Sequence, residues 1–210
     1  MSKRNLGSKI KLSSYDDMFG VNVAENENVN EENQIKDVAL SELHPFKNHP
    51  FKVIDDEKME EMVESVKQYG ILVPAIVRER AEGGYELISG HRRHHAAVLA
   101  GLEEMPVIVK KCDDDESTVI MVDANIQRED ISVSEKAKAY RMKYDAMKHQ
   151  GASGGISLAE MSESAGESRK TIQRLIYLSN LTEELLELID NKKIGIAQGV
   201  DLAFISKEEQ

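Results

Sequence analysis

Strand-like and helical signals alternate from about residue 55 to residue 123, and past Asp130 only the helical period survives. That change of rhythm restricts the chain to an α+β fold, with a small mixed α/β unit over residues 43–130 and an all-α unit over 131–190. In the first unit Met59, Met62, Val63, Val66 and Tyr69 recur at helical spacing, and Gly70 supplies a stop. Ala75–Arg78 and Tyr85–Ser89 read as strands across a Glu82-Gly83-Gly84 turn. A helix over His91–Ala100 follows Gly90 and closes at Gly101, and Pro106–Lys110 is a third apolar run. Asp113, Asp114, Asp115 and Glu116 then place negative charge where a helix ending near Asp123 begins.

In the second unit Ser132 with Glu135 fits a capping box, and Ala137, Tyr140, Tyr144 and Met147 mark one helix face. Gly151, Gly154 and Gly155 break that helix. Ser157 with Glu160 is a second capping box, opening a short helix over Leu158–Ala165. Gly166 makes a turn, and Ser168 caps a helix with Ile172, Leu175 and Ile176 inward. A last helix is predicted over about Glu183–Asp190. Residues 1–42, rich in Asn, Glu and Ser, read as a flexible tail and linker. Residues 191–210 are a polar, Gly-interrupted C-terminal segment.

Charge sharpens this outline. The 210 residues carry 27 Lys and Arg against 38 Asp and Glu, for a net −11. A uniform cationic coat for nucleic acid is excluded. Yet the net charge is +3 over 132–180, against −3 over 1–42, −7 over 43–131 and −4 over 181–210. One positive segment in an acidic chain points to a partner surface there. No apolar run approaches the 18 residues of a membrane span, and no secretory h-region opens the chain. Cys112 stands alone, which excludes an internal disulfide. The expected location is the cytoplasm.

Three constellations carry chemistry. The first is the pair of helices around Gly166, the helix-turn-helix plan. The second helix of such a unit meets DNA with its first turns. Here those turns hold Ser168, Arg169, Lys170, Thr171, Gln173 and Arg174. Arg reads guanine, Gln reads adenine, and Ser or Thr holds phosphate. The plainer alternative is a helical hairpin with a solvated face, and Glu160, Glu163 and Glu167 are acidic for a DNA site.

The second constellation is Ser89-Gly90-His91-Arg92-Arg93-His94-His95. A strand ends, Gly90 turns the chain and a helix begins, so backbone amides and the helix dipole favour an anion. Arg92 and Arg93 add charge. A surface basic turn is the alternative. His91 and His95, at i and i+4, also have the spacing of a metal pair, with no third ligand close in sequence. The third constellation is Asn125-Ile126-Gln127-Arg128-Glu129-Asp130, either an interdomain hinge or the second half of an anion or nucleotide site. In the N-terminal tail, Lys3, Arg4, Lys9 and Lys11 form a basic stretch, either a solvated tail or a peptide that docks on a partner.

In this order the three constellations resemble the ParB family of bacterial DNA-partition proteins over roughly residues 40–190. The family's first box has its counterpart in Gly70-Ile71-Leu72-Val73-Pro74-Ala75-Ile76-Val77-Arg78. Its second, usually G-E-R-R-x-R-A, stands as Gly90-His91-Arg92-Arg93-His94-His95-Ala96. Its third, usually E-N-I-Q-R-E-D-L, stands as Ala124-Asn125-Ile126-Gln127-Arg128-Glu129-Asp130-Ile131.

The resemblance implies a homodimeric DNA clamp that recognises a centromere-like palindrome in double-stranded DNA. It implies CTP with Mg2+ in the N-terminal unit, slow CTP hydrolysis, and a ParA-type ATPase bound by the tail at Lys3–Lys11. The nucleotide would meet Gly90, His91, Arg92, Arg93, His95, Asn125, Arg128 and Glu129. No residue is assigned to the metal. His91 and Ala124 stand where the family has Glu, His95 where it has Arg, and Val73 where it often has Gln. The loss of two carboxylates weighs against magnesium-assisted hydrolysis. The family's C-terminal dimerisation domain has no counterpart in residues 191–210, which implies a shortened chain or a dimer made through the other two units. A nucleotide-using enzyme or nuclease on the same fold, with His91 or His95 as acid–base groups, and a transcriptional regulator with the same domains are the competing readings.

Overall fold

The computed structural model describes residues 34–128, 130–150 and 158–210. It is mixed α and β, with one five-stranded sheet and eight α-helices among the described residues. The strands are β1 (Ile35–Ala39), β2 (Leu43–His44), β3 (Ala75–Glu79), β4 (Tyr85–Ser89) and β5 (Glu104–Val109). The sheet order is β1-β5-β3-β4-β2. β1 runs antiparallel to β5, β3 parallel to β5 and antiparallel to β4, and β2 parallel to β4. Ala75 faces Val107 and Val77 faces Leu87, and all four are buried with Val38, Leu43 and Met105 in one apolar layer.

Helices α1 (Glu57–Tyr69) and α2 (His91–Ala100) pack on each other through Met59, Val63, Val66 and Ala96. The side chain of Asp56 caps α1 by accepting from the Met59 amide at 2.9 Å. Helix α3 (Asp114–Asp123) opens on a capping box between Asp113 and Glu116. It then lies against α4 (Val133–Gln150), whose start is closed by reciprocal bonds between Ser132 and Glu135. Met121, Val122, Ile126, Ala137, Tyr140, Met161, Ile172 and Leu178 belong to a single core, so burial continues across residue 130. Helices α5 (Leu158–Ala165), α6 (Arg169–Leu178), α7 (Glu183–Asp190) and α8 (Ile196–Leu202) complete the helical half.

Two stretches depart from expectation. Residues 35–42, read as flexible tail, form β1 and a 3-10 turn. Only Val38 of β1 is buried, so the period-2 signal is missing, and the strand is held by backbone pairing to β5. Residues 196–202, in the polar C-terminal segment, form α8. Gly199 lies within α8 against Leu178 and Ile189: a Cβ there would stand 2.8 and 2.6 Å from their terminal methyls, which would have to shift. Gly151, Gly154, Gly155 and Ser157 lie outside the described residues. Among those described, no helix is long and apolar enough to cross a membrane.

Candidate functional site

Two helices flank Gly166 where the sequence places them. Gly166, at φ 68°, makes the turn between α5 and α6. The Ser168 hydroxyl accepts from the Thr171 amide at 3.1 Å and caps α6. Ile172, Leu175, Ile176 and Leu178 bury one face. The opposite face leaves Ser168, Arg169, Lys170, Thr171, Gln173 and Arg174 exposed. Gln173 donates to the Tyr177 hydroxyl at 3.1 Å, and the Ser168 and Thr171 hydroxyls lie 2.8 Å apart. Arg169, Lys170 and Arg174 make no ion pair among the described residues. Glu167, just before the Ser168 cap, is paired with Lys136 at 2.9 Å and half-buried, while Glu160 and Glu163 are exposed on α5. The helix face is therefore an uncompensated cationic surface with adjustable hydroxyl and amide groups.

The second constellation is more committed internally than its sequence suggests. Gly90 sits at φ 104°, and a Cβ there would lie 2.9 Å from the Ala75 Cβ. Gly90→Ala is therefore expected to lower stability by about 1–3 kcal/mol, read by urea melts. Arg93 donates to the Val73 and Pro74 carbonyls at 2.5 and 2.7 Å, pinning the first box to α2. Arg92 pairs with Asp56 at 3.0 Å, while its Nε is buried without a hydrogen-bond partner. His95 donates from Nε2 to Asp55 at 2.7 Å. His91 is turned inward: its Nε2 accepts from the Phe46 amide at 3.3 Å, and its ring lies 3.8 Å from that of His49.

Burial, with His49 and His94 adding to it, depresses the His91 pKa to about 3. The ring is thus neutral at pH 7, with Nε2 occupied by the Phe46 amide. His91 and His95 fail as a metal pair, since each is drawn to a different partner. Among the described residues no group of three or more metal-ligating side chains occurs.

The third constellation approaches the second electrostatically. Asn125 donates to the Met121 carbonyl at 2.8 Å, so residues 124–128 ride on the end of α3. Lys58, 2.6 Å away, holds Asp130 below the usual carboxylate range, and Arg128 and Arg92 reinforce it. Arg128 also contributes to a lowered pKa at His49, which burial dominates. Glu129 and the basic stretch Lys3, Arg4, Lys9 and Lys11 lie outside the described residues.

Sequence spacing did not reveal Phe46, His49, Asp55 or Asp56 as neighbours of the Gly90 helix. Asp56 carried the only available signal, as a capping residue. An open groove of about 1100 Å³ lies elsewhere, lined by Lys47, Arg78, Glu86 and Asp114 among others.

The family model of the ParB N-terminal domain matches residues 24–126. The chain is 30% identical over 179 residues to the probable chromosome-partitioning protein ParB of Vibrio cholerae, covering 85% of this chain and 59% of that one. It is 33% identical over 180 residues to the stage 0 sporulation protein J of Bacillus subtilis, covering 86% and 61%. It thus spans about three fifths of the length of these curated relatives. A structure of the C-terminally truncated chromosome-partitioning protein ParB from Caulobacter crescentus, complexed to the centromeric parS site, is similar at a TM-score of 0.54 and 22% identity. That likeness covers 81% of this chain and 86% of that one, and it supports the fold.

Proposed function

The chain belongs to the ParB family, and on that premise we propose that it is a sequence-specific DNA-binding protein of a plasmid or chromosome partition system. It works in the cytoplasm as a homodimer on a centromere-like palindrome. Ser168, Arg169, Lys170, Thr171, Gln173 and Arg174 of α6 enter the major groove. The observation that carries this reading is the α6 face itself, three exposed cations with no acid partner among the described residues, on a helix whose other side is core. The acidic remainder of the chain repels DNA and leaves this docking pose preferred.

The same reading assigns CTP to the Gly90 turn. Gly90, His91, Arg92 and Arg93 start α2, and Asn125, Arg128 and Glu129 follow α3. The residues present fit a polyphosphate in one respect: Arg92 has a buried Nε with no partner. They do not favour a catalytic metal, because Ala124 offers no ligand. CTP bound there would close the dimer into a clamp on DNA, and the N-terminal basic stretch would dock on a ParA-type ATPase.

The test is DNA binding by the full chain at several salt concentrations, on duplexes with and without a parS-type palindrome. Arg169→Ala with Arg174→Ala should weaken binding at least tenfold. It should lower the slope of log affinity on log salt by about one per lost phosphate contact. Unchanged affinity and slope would overturn the assignment of α6.

A further inference from the structure

Lys143, in the middle of α4, is 3% exposed. Burying an ammonium is unfavourable unless it is paired and hydrogen-bonded. Here it forms an ion pair with Asp123 and donates to the Ser164 hydroxyl at 3.1 Å. Asp123 is the last residue of α3, and Ser164 lies in the last turn of α5, two positions before the Gly166 turn.

A carboxylate at the C-terminal end of a helix opposes its dipole, so Asp123 does not serve the stability of α3. Its partner is Lys143. The segment Ala124–Arg128 is fixed to the same end of α3 by the Asn125 bond to Met121 and by the buried Ile126. At its other end α3 is tied to the sheet, where Arg78 meets Asp114 at 2.6 Å. The other charged contacts near this joint, Lys58 with Asp130 and His149 of α4 with Asp115 of α3 at 3.4 Å, each have at least one partner more than half exposed and are correspondingly weak. Beside the apolar core that these elements share, one buried cation thus gives a directional polar tie between the end of α3, which carries the segment 124–128, and the helix that leads into the DNA-reading turn.

We propose that Lys143 is a positioning residue that makes α5 and the 124–128 segment move as one body, so that DNA held on α6 is felt at Asn125 and Arg128. The proposal rests on the DNA reading of α6.

The experiment is hydrogen exchange of the full chain with and without a duplex carrying the centromeric parS site. It compares the unaltered chain, Lys143→Met and Ser164→Ala. In the unaltered chain the duplex should slow exchange at 169–174 and also at 124–128. In Lys143→Met the slowing at 169–174 should persist, while that at 124–128 should shrink at least threefold. Met keeps the length of the side chain, and Asp123, 42% exposed, can turn to water. Ser164→Ala keeps the Asp123 pair and the core and should show the same loss, so it decides the matter if Lys143→Met does not fold.

Equal slowing at 124–128 in all three proteins overturns the proposal. Slowing at 169–174 alone in the unaltered chain overturns it too and leaves the DNA reading standing. No slowing at either segment in the unaltered chain overturns the DNA reading and this proposal with it.

Discussion

Replacing Arg78 by Met is expected to cost the fold about 3–5 kcal/mol, seen as a lower urea midpoint at unchanged slope. The reason lies in Glu86, which is only 8% exposed on β4 although it lines the open groove together with Arg78 and Asp114. One of its oxygens accepts from the Arg78 guanidinium at 2.6 and 2.7 Å, and the other accepts from the Lys47 amide at 3.0 Å. The guanidinium continues to Asp114 at 2.6 Å and stands 6.0 Å from the centre of the Phe46 ring. Removing the cation leaves a buried carboxylate facing only one amide donor. It also frees the start of α3 from the sheet. Arg78→Met combined with Glu86→Gln should recover more than half of the loss, because Gln still accepts from Lys47 without a charge to bury. A loss below about 1 kcal/mol for the single variant would mean that water reaches Glu86.

That network shows where reading the chain in one dimension stops. Arg78 was visible only as the last residue of a strand, since Glu86 and Asp114 lie eight and thirty-six positions away. What could be read was local. The helices over His91–Ala100, Leu158–Ala165 and Glu183–Asp190 end where caps, glycines and charge say they should, because those signals act within one turn. β1 escaped notice for the opposite reason: its order comes from backbone bonds to β5, some seventy residues on. The Gly90 turn shows both sides. Its position and its left-handed glycine followed from the sequence, but the partners of its side chains did not. Spacing put His91 and His95 on one face as if to share a ligand. The loop at 46–51 instead brings His49 and a backbone amide to His91, while Asp55 takes His95. Lys143 was likewise invisible, because a lysine in an amphipathic helix reads as solvated until α3 and α5 are seen to close over it.

Stability is expected to fall by about 2 kcal/mol between pH 7 and pH 5 through His91 alone. In the folded chain its pKa lies at about 3, and the ordinary value is 6.5. Above pH 6.5 the ring is neutral in both states and contributes no pH dependence. Between 6.5 and about 3 the unfolded chain takes up a proton that the folded chain refuses, so stability is lost steadily as pH falls, by about 1.4 kcal/mol per unit. The refusal has a structural cause beyond burial. Protonating Nε2 would turn an acceptor into a donor aimed at the Phe46 amide, and it would place a cation 3.8 Å from the His49 ring. His49 and His94, both shifted down chiefly by burial, add to the loss with the same sign. His91→Gln keeps an acceptor for Phe46 and cannot charge. Urea melts at pH 5, 6, 7 and 8 should therefore show a decline that is shallower by about 2 kcal/mol in this variant. Parallel profiles for the two proteins would mean that His91 takes up its proton in the folded chain, and that the 46–51 loop opens from α2 without cost to the rest of the fold.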